Sequence, residues 1–194
     1  RSQQAQDTLF LYLAGGVTTV RGTLGNTVQF EMREAVKNGE MAGPMLYLAA
    51  PSLNGNSVSS VDDGIAQVRQ YKQDGWDLLK IHRGLTRAEY DAIADTANAI
   101  NMPFGGHVPE DVGILRALEK KQTSIDHMDG FMQLLGGYTH KLSEAELKQG
   151  VELYNNTYRS WIVPTQPLFA ILVGGGDADA LAARPENKYM PAET

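Results

Sequence analysis

Residues 77–82 read Asp77-Leu78-Leu79-Lys80-Ile81-His82, and the fold turns on which way these side chains point. In an extended segment alternate residues face opposite sides, so Leu79 and Ile81 share one face while Leu78, Lys80 and His82 share the other. A lysine on the inner face near the carboxyl end of a buried strand is poorly placed against packed helices. It is well placed at the mouth of an enzyme barrel, where chemistry gathers at the carboxyl ends of parallel strands.

Five further runs flank this one, each rich in branched or apolar residues and bounded by Gly, Pro or Asp: Gly16–Arg21, Pro44–Ala50, Pro103–Val108, Thr123–Met128 and Trp161–Thr165. Successive runs begin 28, 33, 26, 20 and 38 residues apart, the length of a strand, a loop and a crossover helix. Three hydroxyl residues each stand three positions before an acid, Ser60 with Asp63, Thr86 with Glu89 and Ser143 with Glu146, the capping-box pattern of a helix start. Helices alternating with strands predict an α/β protein with a parallel sheet, doubly wound or closed as a (β/α)8 TIM-type barrel. The position of Lys80 selects the barrel.

Composition narrows the function. Across 194 residues, 17 Lys+Arg against 23 Asp+Glu leave a formal charge of −6, which argues against nucleic acid as a partner. There is no cysteine, so disulfides and thiolate metal sites are excluded and any metal must use His or carboxylate. The apolar stretch Leu9–Ala14 is far shorter than the roughly 20 residues that span a bilayer, so no membrane segment is expected. Arg1–Asp7 carries no signal-peptide pattern, which leaves the compartment open between cytoplasmic and periplasmic or secreted. Gly174–Gly176 lacks the surroundings of a phosphate-binding loop and reads as a loop before Asp177, a candidate N-cap.

Three of the four histidines, His82, His107 and His127, fall at predicted strand ends, while His140 falls in a polar loop. Taken singly, each member of the set has an ordinary explanation. Lys80 fits a snorkelling lysine paired with a carboxylate, and His107 and His127 fit hydrogen-bonded structural residues. The ordered trio Lys80, His107, His127 on three successive strand ends is more specific, because packing alone has no reason to set three nitrogen side chains around one mouth.

The segments Ala14–Arg21, Gly75–Ile81, Gly105–Pro109, Ser124–His127, Val163–Thr165 and Arg184–Pro191 together resemble the metal-dependent amidohydrolase superfamily, nearest its imidazolonepropionase-like and prolidase-like members. The resemblance covers nearly the whole chain. It implies a barrel with one or two divalent metals, zinc first among them, and a metal-bound hydroxide that attacks an amide, peptide or cyclic-amide carbonyl. It further implies that Lys80 is carboxylated by CO₂ to a metal-bridging carbamate, and that His107 and His127 bind one ion through neutral imidazole. Arg21, at its strand end, is a candidate for the carboxylate of a small amide or dipeptide substrate. A structural ion pair is an equal reading of Arg21, and His82 and Tyr138 are further candidate pocket liners.

The superfamily's His-x-His pair is absent from these residues, and Asp177 and Asp179 fall too early for its eighth-strand aspartate. The six runs therefore align with strands two to seven, and residues 1–194 are expected to be one partial catalytic barrel domain with no separate second domain. Unpaired edges at Gly16–Arg21 and Trp161–Thr165 predict association, as a homo-oligomer or through exchanged segments. With half of the ligands elsewhere, the chain alone is expected to bind divalent metal weakly or not at all and to hydrolyse no amide. Firm binding would direct attention to Asp126, His82 or Asp177 as replacement donors. Two alternatives stand beside this reading: a metal-free barrel with Lys80 as a Schiff-base nucleophile, as in aldolases, and a catalytically silent folded or associating fragment.

Overall fold

The computed structural model describes residues 3–172 and 177–189. Helix α1 (Gln3–Ala14) leads into β1 (Thr19–Gly22), and α2 (Val28–Lys37) into β2 (Met45–Leu48). Then α3 (Val61–Asp74), β3 (Leu79–Ile81), α4 (Arg87–Ala99) and β4 (Phe104–Gly106) alternate. The chain continues through α5 (Gly113–Glu119), β5 (Ser124–Asp126), α6 (Phe131–Leu135), α7 (Glu144–Asn155), β6 (Trp161–Val163), α8 (Gln166–Leu172) and α9 (Ala178–Ala182), with a 3-10 turn over Pro185–Tyr189. All six expected strands occur, shorter than the runs read from the sequence, with β1 shifted one residue past its expected end to Gly22. Gly174–Gly176 lies outside the described residues.

Every strand pairing is parallel. The pair β1–β2 and the set β3–β4–β5–β6 are joined by parallel bridges between Ala49 and Leu78 and between Leu53 and Ile81. The strands therefore follow chain order from β1 to β6, as right-handed strand–helix–strand units produce. The sheet is also curved. Arg21 Nη1 donates to Ser124 Oγ at 2.9 Å, although four strand spacings of about 4.8 Å would put β1 and β5 about 19 Å apart in a flat sheet. No arginine side chain spans that gap, so β1 and β5 face each other across a concave interior.

The helices cover the outer face. Leu79, Ile81, Phe104 and Ile125 point outward into a core with Val68, Ile93, Ala94, Ala97 and Ala117, all at most 1% exposed. The helix starts follow local chemistry. Thr86 and Ser143 form complete capping boxes with Glu89 and Glu146. Ser60 forms only half of one: its hydroxyl accepts from Asp63 N at 3.2 Å, while the Asp63 carboxylate is taken by both the amide and the hydroxyl of Ser59. Asp177 caps α9 as expected, accepting from Asp179 N and Ala180 N. No helix among the described residues is long and apolar enough to cross a membrane.

Candidate metal centre

The carboxyl ends of β3, β4 and β5 deliver Lys80, His107 and His127 to one cavity of about 430 Å³, lined also by Arg21, Thr23, Leu24, His82, Asp126, Val163 and Thr165. Backbone bonds hold each imidazole-bearing residue against its neighbouring strand. His82 N donates to Leu53 O at 2.9 Å, His107 N to Ile81 O at 3.0 Å and His127 N to Val163 O at 2.8 Å. The three rings form a row, with centroids 4.3 Å apart for His82 and His107 and 4.9 Å for His107 and His127.

Glycines make the room. A Cβ at Gly105 would stand 2.2 Å from Ser124 Oγ, and one at Gly106, whose φ is +125°, would stand 2.3 Å from Ile81 O and 3.1 Å from Lys80 Nζ. Only glycine lets β4 pass this close beneath the Lys80 side chain. Left-handed backbone also gathers here, with φ of 59° at His127, 61° at Met128 and 49° at Thr165. Non-glycine residues in that region carry local strain and tend to occur where a site imposes it.

The hydrogen bonds decide how the imidazoles are presented. His107 Nδ1 lies 2.8 Å from Asp129 Oδ2. Burial works to raise the Asp129 carboxyl, but the hydrogen bond and charge of His107, with the charges of Arg83 and His127, outweigh it and hold the group below the usual carboxylate range. An ionised Asp129 accepts only, so a neutral His107 carries its ring hydrogen on Nδ1 and leaves Nε2 bare. The Thr165 hydroxyl donates to Pro164 O at 2.7 Å, so toward His127 Nδ1, 2.5 Å away, it accepts. His127 is thereby set in the same tautomer. Burial, reinforced by the charge of His107, pushes the His82 and His127 imidazoles below their usual range, which favours their neutral form.

Lys80 and Asp126 form an ion pair, Nζ to Oδ2 at 2.5 Å, with side chains only 6% and 8% exposed. The other oxygen, Asp126 Oδ1, is buried without a hydrogen-bond partner. The Arg21 guanidinium stands 3.9 Å from it, its Nη1 bond spent on Ser124 Oγ. One ligand atom from each of His107, Asp126 and His127 lies within 4.8 Å of the others. Neutral imidazole with carboxylate is a donor set suited to zinc and related divalent ions, and a buried carboxylate oxygen with no partner is the kind of atom a cation satisfies. The residues present therefore fit a metal.

Of the sequence-derived candidates, Lys80, His107, His127, His82 and Arg21 meet in this cavity. Tyr138 does not. It is 64% exposed in the turn after α6, where the left-handed Gly136 (φ 77°) ends the helix and sends the chain outward. His140 bonds Glu146 Oε1 at 2.8 Å and belongs to the start of α7. Sequence reasoning missed Asp129 and the fully buried Gln122, whose Nε2 donates to the carbonyls of Gly106, His107 and Ser124 and whose Oε1 accepts from Tyr90. Asp129 carried a signal, an acid two residues past a candidate ligand. Gln122 carried none.

No protein-family model and no curated protein matches the sequence. Solved structures do match in fold. A bottromycin amidohydrolase superposes with a TM-score of 0.67 at 21% identity, over 94% of this chain and 44% of its own. The fold is that of the amidohydrolases. An ochratoxinase from A. niger gives 0.65 at 17% identity, over 91% of this chain and 48% of its own. A Xaa-Pro dipeptidase, solved with methionine in its active site, gives 0.60 at 20%, over 89% and 47%. The present chain thus spans about half the length of the amidohydrolase-type structures it matches.

Proposed function

We propose that this chain supplies the central part of the active site of a metal-dependent hydrolase of amide, peptide or cyclic-amide bonds, its curved sheet forming six strands of a (β/α)8 barrel. The observation that carries the reading is the meeting of Lys80, His107 and His127 in one cavity at three successive strand ends. In it, His107 and His127 hold a divalent cation, zinc by the nature of the donors. When bound, such an ion polarises a carbonyl and acidifies water. Asp129 and Thr165 keep the two rings in the metal-binding tautomer, and Lys80 with Asp126 sets the charge beside them.

Arg21 and His82 line the same cavity and face a bound small amide or dipeptide, Arg21 offering its guanidinium to a carboxylate. Residues 1–194 act here as one part of a catalytic domain whose other ligands come from outside this sequence. On the inner face Met45, Tyr47 and Trp161 stand 58%, 48% and 80% exposed, and both β1 and β6 are unpaired at one edge among the described residues. Such edges and apolar groups seek cover, so the chain by itself associates.

The test is hydrolysis of a panel of dipeptides and N-acyl amino acids by the whole protein that contains this chain. Turnover lost to a chelator, restored by zinc, and abolished by Lys80→Ala or His107→Ala is expected. Chelator-indifferent turnover, or none on any member of the panel, overturns the reading.

A further inference from the structure

Resting on that reading of the site, we infer that Leu24 is a specificity-determining residue. With Arg21 on the substrate carboxylate, Leu24 receives an aliphatic or aromatic side chain on the carboxyl-terminal residue of a dipeptide or N-acyl amino acid. The lining of the cavity is polar apart from Leu24 and Val163. These two stand at opposite ends of the sheet, Leu24 just beyond β1 and Val163 on β6. Leu24 is 65% exposed, the one large apolar residue exposed to that degree among the described residues that line this cavity.

A single exposed leucine is ordinary on a protein surface, but the loop that carries this one is held in place. The Gln29 side chain returns to it, Nε2 donating to Leu24 O at 3.2 Å and Oε1 accepting from Asn26 N at 3.0 Å. Asn26 Oδ1 in turn accepts from Val28 N at 3.1 Å, where α2 begins. Next to Leu24, Gly25 lies so close to the backbone of Ala49, Ala50 and Pro51 that an added Cβ would overlap it. The turn thus keeps Leu24 out of the core and at the cavity mouth, where contact with an apolar group is what removes its side chain from water. Arg21, three residues earlier, lines the same cavity. Its Nη1 is bonded to Ser124 Oγ, while Nη2 stands 3.9 Å from Asp126 Oδ1 and is left for a substrate carboxylate. A carboxylate placed there sets the side chain of the same residue beside Leu24 and directs its amide inward, toward His107 and His127. A charged side chain in that position would lose water against a leucine that offers nothing in return.

The experiment is steady-state hydrolysis by the whole protein that contains this chain, for wild type, Leu24→Ala, Leu24→Met and Leu24→Arg. The substrates are glycyl dipeptides ending in glycine, alanine, leucine, phenylalanine or aspartate, and the matching N-acetyl amino acids. The readout is the ratio of kcat/KM between the leucine and glycine members, which a general loss of folded enzyme does not move. Wild type should favour leucine and phenylalanine over glycine by about 10-fold or more, and Leu24→Ala should reduce that ratio by about 10-fold. Leu24→Met should keep the preference, and Leu24→Arg should raise the aspartate member above the leucine one. A wild type without the preference, or a ratio that Leu24→Ala leaves unchanged while all substrates fall together, overturns the inference and leaves the metal-hydrolase reading standing. No turnover by wild type on any member overturns that reading as well. The wild-type series needs no substitution, so a variant that fails to fold does not shield the inference.

Discussion

Arg21 and Ser124 sit four strands apart in the sheet order and yet share a 2.9 Å hydrogen bond, Nη1 to Oγ. That contact spans the concave face and uses one nitrogen of the guanidinium, Nη1, leaving Nη2 toward the cavity. Arg21→Ala should lower stability by about 1 kcal/mol, seen as a shift of the urea midpoint. Arg21→Lys should behave like Ala, since an ammonium cannot satisfy Ser124 and face Asp126 with one planar group. An unchanged midpoint in both would mean that the span is not held in solution.

Asp129 supports His107 from behind, and its side chain is 3% exposed. Asp129→Asn keeps the volume but also permits the wrong imidazole tautomer, because an amide can donate. Zinc affinity is expected to fall about 10- to 100-fold with little change in the circular dichroism spectrum. Equal affinity of variant and wild type would rule out a tautomer-setting role.

Gln122 and Tyr90, both buried, tie α4 to the ends of β4 and β5. Gln122→Leu strands the Tyr90 hydroxyl and should cost about 2–3 kcal/mol, while Tyr90→Phe should cost about 1–2 kcal/mol for the orphaned amide oxygen. The double variant should cost less than the sum of the two, since it removes both ends of the bond. Additive costs in chemical denaturation would show that the pair is not coupled.

Glu146 provides the pH dependence. The Ser143 hydroxyl and amide, then His140, hold its carboxyl down to about 2 from the ordinary 4.5. A depressed folded value means that the unfolded chain binds the proton first, so the contribution is fully present above about 4.5 and is lost as pH falls toward about 2. Glu146→Gln preserves the capping geometry without the charge. Its melting temperature should lie below wild type at pH 6 and converge with it as pH approaches 2; a gap that stays constant with pH would contradict the assignment.

What could be read from the chain was what neighbouring residues decide among themselves. Alternation placed Lys80 and His82 opposite Leu79 and Ile81, hydroxyl–acid spacing located the starts of α4 and α7, and the strand rhythm ordered the parallel sheet, because each depends on contacts a few residues long. The chain motifs likewise carried the likeness to the amidohydrolase fold. Tertiary structure alone decided the rest. The curvature that brings Arg21 to Ser124 is a property of four strand pairings together. Which oxygen of Asp126 is taken by Lys80, 46 residues away, and which is left bare depends on how three strands and two glycines pack. The outward turn of Tyr138 follows from the left-handed cap at Gly136, and the support of His107 by Asp129 and Gln122 comes from residues whose partners are distant in sequence. A donor set is a statement about distances in space, and sequence separation does not encode those until the sheet has curved.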